Sequence, residues 1–219
     1  MELLRIGLMG GALALDATSV GQFMFSRPLI AGALTGWLLG DAVTGLTVGA
    51  ILEIYVLVSI PSGGASFPDG TTAAVVAVAA ATASDTAGAL PLAIGIGLLW
   101  GQMGAYSVTQ LRKLNGYLVP EPTDVSAGPR RIVFAQMSGV GLDFLRGAVI
   151  TVLGAATGRA LVSRLAPSWP LSVDGSYGLL FVGAAVSVGI LLHDLGGFRR
   201  RKLLFAVGLA LGVVGARFL

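Results

Sequence analysis

No cysteine occurs anywhere in the 219 residues, so a disulfide framework and a thiolate metal site are both excluded. A single histidine, His193, rules out the clustered imidazoles of a zinc centre. Charge is scarce as well: 11% of residues are Asp, Glu, Lys or Arg, against roughly 25% in an ordinary soluble domain. No nucleotide-binding glycine loop, nucleophile elbow or metal-ligand spacing appears in the chain. A soluble catalytic domain is therefore not expected, and any chemistry must be done on, or by, a partner.

What is present is apolar residue, 55% of the chain, with a mean hydropathy of +0.86. These values define an integral membrane protein. The net charge of +3 does not point to nucleic acid, because the basic residues sit in short clusters at the ends of apolar runs. Such runs fall near residues 3–15, 28–40, 42–60, 71–84, 88–110, 132–163, 177–193 and 203–219. The pattern predicts one all-α, polytopic transmembrane domain over 1–219. The opening stretch reads as a membrane segment, since Glu2 offsets Arg5 and spoils a signal-peptide n-region.

Crossing the hydrocarbon core takes about 20 helical residues. Segments 42–60, 88–110, 177–193 and 203–219 meet or approach that length, whereas 28–40 and 71–84 fall short. Short apolar helices beside Gly/Pro breaks are the mark of re-entrant or broken helices. The clearest break is "SIPSGGASFPDG", Ser59 to Gly70, which makes 59–84 a candidate re-entrant region. Segment 132–163 is too long for one simple span and is interrupted by Gln136, Ser138 and Asp143. It is expected to divide into an interfacial or partly buried helix and a span from about Arg146.

Arg112, Lys113, Arg130 and Arg131 place the 111–131 connector in the cytoplasm, and the basic run of 199–202 does the same for 194–202. The stretch 164–176, with Trp169, then faces outward. Glycines recur at every fourth residue, at Gly32, Gly36 and Gly40, at Gly45 and Gly49, at Gly154 and Gly158, and at Gly208 and Gly212. That spacing suits close helix packing in lipid.

A charge near a bilayer centre costs at least ~2.5–3.5 kcal/mol, so each one needs a reason. Glu53 lies alone inside "VGAILEIYVLV"; it reads as a substrate or coupling carboxylate, or as the partner of Arg27. Arg27-Pro28 marks a helix start, with Gln22 and Ser26 just upstream. Asp69 either N-caps the following short helix or, by the same geometry, offers a polar ligand the free N–H groups of a helix N-terminus. Gln102, a buried amide by its setting, serves as helix glue or ligand contact. Asp143 and Arg146 are three apart and read as an internal ion pair. Asp41 reads as a loop cap. His193-Asp194 closes a span beside basic residues, where histidine complements the helix dipole.

Three stretches then take on a shared meaning. Gln22, Ser26, Arg27 and Pro28; Gly40, Asp41, Gly45, Leu52 and Glu53; and Gly64, Ala65, Pro68 and Asp69 occur in order. Together they resemble the IIC membrane subunit of the mannose/sorbose-type sugar phosphotransferase systems. The likeness covers about the first third of the chain; the remainder agrees in hydropathy. It implies a multi-pass subunit of the bacterial inner membrane, paired with a homologous IID subunit in a higher-order oligomer. It further implies a hexose-type sugar, phosphorylated during uptake by cytoplasmic IIB, which IIA supplies, and no cofactor. On the same basis Glu53, Ser66 and Asp69 are the foremost sugar contacts, followed by Gln22 and Gln102, and a core of re-entrant hairpins moves in elevator fashion. An ion-coupled secondary transporter and a non-transporting scaffold or sensor stand as the alternatives.

Overall fold

The computed structural model describes residues 1–57, 68–118, 128–196 and 198–215, and the side chains of 198–201 and 213–215 are left aside. Among the described residues there are eight α-helices and no strand. They are α1 (Glu2–Thr18), α2 (Pro28–Leu39), α3 (Ala42–Tyr55), α4 (Gly70–Ala81), α5 (Ala89–Leu118), α6 (Pro129–Leu165), α7 (Val173–Asp194) and α8 (Phe198–Gly215). A short 3-10 turn, Ala166–Ser168, follows α6.

Helix α4 is the centre of the molecule. Every residue from Thr71 to Ala81 is buried, and the run is almost entirely alanine and valine. Small side chains let several helices approach one axis, and α1, α2, α3, α5 and α6 all pack on it. At 12 residues α4 is about 18 Å long, well short of a ~30 Å hydrocarbon core. Helix α2 has the same length. Helix α3 ends at Tyr55, where Val56 N closes back on Leu52 O, so the apolar run from 42 is a shorter helix than its hydropathy suggested. Only α5, α6 with its following turn, and α7 are long and apolar enough to cross a membrane, among the described residues.

Close glycine contacts set the pairings. A Cβ on Gly36 would lie 2.6 Å from Gly45 Cα, and one on Gly49 would lie 2.8 Å from Pro28 O, so α2 and α3 touch backbone to backbone as an antiparallel pair. Gly40 has a different task. It turns the chain between them at φ +82° and meets nothing within 4 Å. Gly154 and Gly158 receive Val76, Trp100 and Ala80, as the spacing suggested, whereas Gly208 and Gly212 meet nothing within 4 Å.

Helix α6 runs unbroken for 37 residues and does not divide near Arg146. Its polar residues are accommodated within the helix. Gln136 points out, and Asp143 is buried in a set of hydrogen bonds described below. Helix α1 packs antiparallel on α6, with Gly10 against Thr151, Gly147 against Ala14 and Glu2 paired with Arg159. Arg159 Nε also donates to Ala79 O at 3.0 Å, and Trp100 Nε1 to Ile150 O at 2.8 Å, which ties α4 and α5 to the same helix. Helix α7 joins through Tyr55, whose hydroxyl donates to Leu180 O at 2.8 Å.

These contacts place four helix ends at one level. The C-terminal ends of α1 and α3 meet the N-terminal ends of α2 and α4 beside Gly101 and Gly104 of α5, and beside Asp143 and Arg146 of α6. Gly101 and Gly104 lie about 18–22 Å along α5, inside a long apolar helix and away from its ends.

Candidate functional site

Two charged groups occupy this level. In the first, Arg27 forms the N-cap of α2, and Nη2 of its guanidinium pairs with Glu53 Oε1. Leu29 N donates to the other carboxylate oxygen at 3.3 Å. The carboxylate therefore compensates both the arginine and the positive end of the α2 dipole. The pair is partly open, with the Glu53 side chain 22% exposed and that of Arg27 44%.

In the second, Asp69 caps α4. Its Oδ1 accepts from Thr71 N at 3.0 Å and Thr72 N at 3.2 Å, and its Oδ2 from Thr72 Oγ1 at 2.7 Å. Arg146 Nη1 stands 4.0 Å from Asp69 Oδ2 and donates to Ser107 Oγ at 3.0 Å. Arg146 Nε donates to Asp143 Oδ1 at 3.0 Å. Nη2 approaches the same oxygen, off the line of its N–H bond, and has no aligned acceptor. Asp143 is wholly buried and also accepts from the hydroxyls of Thr18 and Ser19. A single guanidinium thus lies between carboxylates from α4 and α6, where buried charge requires compensation.

Backbone contacts connect the two groups. Thr71 Oγ1 donates to Ser26 O at 2.6 Å, and Asp69 N to Gly101 O at 2.9 Å. Gln22 is exposed in the 19–27 loop beside this junction, at φ +54°. The structure therefore brings Arg27, Glu53, Asp69, Asp143 and Arg146 to one region, and Gln22 stands in the loop that leads into it. Gln102 departs from expectation: it is exposed on α5, because its neighbours Gly101 and Gly104 take the face turned to α4. Ser66 lies outside the described residues.

Sequence reasoning missed Thr18, Ser19 and Ser107, the hydroxyls that complete the buried group. A Thr-Ser pair at a helix end was the available signal, but nothing in spacing linked it to Asp143, 124 residues away. A separate cleft of about 450 Å³ lies at the other end of α4, bordered by Asp41, Thr44, Asp85, Thr86 and Tyr177, and holds none of these residues. Among the described residues, no group of three or more His, Asp or Glu is placed to hold a metal ion.

Long apolar helices packed with shorter ones, and the Asp143–Arg146 charges buried at the level where the short helices end, define a polytopic helical membrane protein. Residues 1–196 match the family described as the sorbose-specific IIC component of the phosphotransferase system, and the chain belongs to that family. It is accordingly a IIC-type membrane component of the mannose/sorbose family and a multi-pass protein of the bacterial inner membrane. Over 55 residues it is 42% identical to the mannose-specific EIIC component of Escherichia coli K12, and equally to that of Shigella flexneri. The aligned stretch is 25% of this chain and only 21% of the length of those relatives. One solved membrane-protein structure matches 99% of the chain and 92% of its own at a TM-score of 0.70 and 20% identity. The cryo-EM structure of the mannose transporter ManYZ in complex with microcin E492 matches with the same coverage, at a TM-score of 0.61 and 19% identity. These two likenesses establish the fold.

Proposed function

We propose that this chain is the sugar-translocating IIC subunit of its phosphotransferase system, passing a hexose-type sugar across the membrane together with a IID subunit. The observation that carries the reading is the convergence of Arg27–Glu53 and Asp69–Arg146–Asp143 at the ends of short helices, beside longer ones. Carboxylates accept hydrogen bonds from sugar hydroxyls. Glu53, Ser66 and Asp69 are the foremost contacts in this proposal, followed by Gln22; Gln102, turned outward, moves to its margin.

The phosphoryl group reaches the sugar from cytoplasmic IIB, charged in turn by IIA. His193 is no rival acceptor on this reading, since its exposed ring sits 3.4 Å from Asp194 at the end of α7, away from the charged groups. Helices α2 and α4, too short to cross alone, belong to re-entrant segments in this proposal, with the basic 111–131 connector on the cytoplasmic side. In the same proposal, a core that carries these segments moves in an elevator-like step. Association with a IID subunit is supported by the ManYZ neighbour, and a higher-order oligomer belongs to the same proposal.

The test is radiolabelled sugar uptake in vesicles carrying this chain, with and without IID, IIB and a phosphoryl donor. Sugar phosphate should accumulate only with the full set. No accumulation under any combination would end the proposal, and uptake that collapses with the proton gradient alone would favour ion coupling.

A further inference from the structure

Asp16 is the residue that the site described so far does not use. It stands near the end of α1, 8% exposed, in a setting where a carboxylate is costly. Its oxygens accept from backbone donors: Oδ1 from Phe23 N at 2.7 Å and Oδ2 from Ser26 N at 2.8 Å. Both bonds go to the same loop, the 19–27 turn between α1 and α2.

That loop is strained. Gly21, Gln22 and Met24 all have left-handed backbones, at φ +85°, +54° and +69°. Glycine adopts such angles freely; glutamine and methionine do so only where surrounding bonds leave no alternative. The two Asp16 bonds bracket Met24 and supply that constraint. They also aim the following residues. Ser26, held through its N–H by Asp16, accepts from Thr71 of α4 through its carbonyl, and Arg27 next to it pairs with Glu53 of α3. One side chain of α1 thereby sets the register of two helix ends that it does not touch.

We propose that Asp16 is a positioning residue for sugar binding, holding the 19–27 loop in the strained form that presents Gln22 and sets the Arg27–Glu53 pair. The inference rests on the transport reading above. Asp16 does not contact sugar itself, because both oxygens are spent on the loop and the side chain is covered. In Asp16→Asn one of the two acceptors becomes a donor, and the loop relaxes toward ordinary backbone angles.

The absence of cysteine makes the test direct, since Met24→Cys introduces a single site for a nitroxide spin label. Adding Asp16→Asn should narrow the label's spectrum as the loop gains freedom. In uptake assays without the label, Asp16→Asn should raise KM about tenfold, the loss of one hydrogen bond to a charged acceptor, with the maximal rate held within about twofold. Introducing Met24→Gly into that variant should recover part of the KM, because glycine accepts the left-handed angle without strain. Unchanged label mobility with unchanged KM would overturn the proposal, as would a fall in maximal rate alone. If Asp16→Asn fails to assemble, Asp16→Ser removes the carboxylate without added bulk and carries the same readouts. A wild-type protein that moves no sugar would defeat the transport reading, while the spin-label comparison would still decide whether Asp16 holds the loop.

Discussion

Arg146 and Asp143, one turn apart on α6, form a buried pair with Nε 3.0 Å from Oδ1, and neither side chain is more than 9% exposed. Removing one member of such a pair strands the other, at a cost of about 3–5 kcal/mol. The two single variants are not equivalent. Arg146→Met leaves Asp143 with only the Thr18 and Ser19 hydroxyls, whereas Asp143→Asn leaves Arg146 near Asp69 and bonded to Ser107. Thermal unfolding in detergent should rank Arg146→Met as the more damaging change. The double variant should lose less than the sum of the singles. Additive losses would show that the pair is not coupled.

Glycine packing gives a cleaner contrast. A Cβ on Gly45 would sit 2.5 Å from Gly32 O and 2.6 Å from Gly36 Cα, both rigid backbone atoms, while one on Gly95 meets nothing within 4 Å. Gly45→Ala must push α2 from α3 and should cost about 1–3 kcal/mol, as overpacked cores do. Gly95→Ala lies in the first turns of α5 and should be neutral or stabilising by up to about 1 kcal/mol. Similar melting temperatures for the two variants would contradict the backbone contact between α2 and α3.

The parts of this architecture that were legible in the chain were those written in local pattern. Proline at 28 and Asp69 before Gly-Thr-Thr marked two helix starts, and both helices are as short as their apolar runs implied. The Asp143–Arg146 pair followed from i,i+3 spacing, while Arg27 as the partner of Glu53 was one of two readings of that lone carboxylate. What failed was any inference requiring the far partner. Asp143 looked like an interruption of α6 because Thr18 and Ser19, which satisfy it, arrive from α1. Gln102 was expected to be buried because hydropathy gives depth but not facing, and a rotation of one residue from Gly101 turns it outward. Gly40 matched a packing repeat while serving as a left-handed cap, a distinction made by backbone angle and not by spacing.

Asp41 offers a test by pH. It caps α3 in the α2–α3 turn, and bonding to Thr44, through the side chain and through the N–H at 3.0 Å, holds its carboxyl below the usual carboxylate range. A group with a depressed folded pKa stabilises fully above its unfolded pKa and loses that contribution as pH falls through the folded value. Wild type should therefore exceed Asp41→Ala by about 1 kcal/mol, the ordinary value of such a cap, at neutral pH. The gap should close only under acid conditions, below the usual range for aspartate. Paired melting curves across pH check this, and a gap that persists in strong acid would remove the charge from the account.

Glu53 can be separated into a structural and a transport role. Arg27 sits at the positive end of α2, an unfavourable place for a cation, and the Glu53 carboxylate offsets it while accepting from Leu29 N. Glu53→Gln retains an acceptor for that N–H but leaves the arginine uncompensated. Because the pair is partly exposed, the loss should be modest, about 1 kcal/mol. Replacing Arg27 as well, in Arg27→Gln/Glu53→Gln, removes the stranded cation and should recover most of the stability. If Glu53 also binds the sugar, uptake must stay low in that double variant even though the protein is stable again. Recovery of uptake along with stability would assign Glu53 to the pair alone, and the sugar would then have to be sought at Asp69.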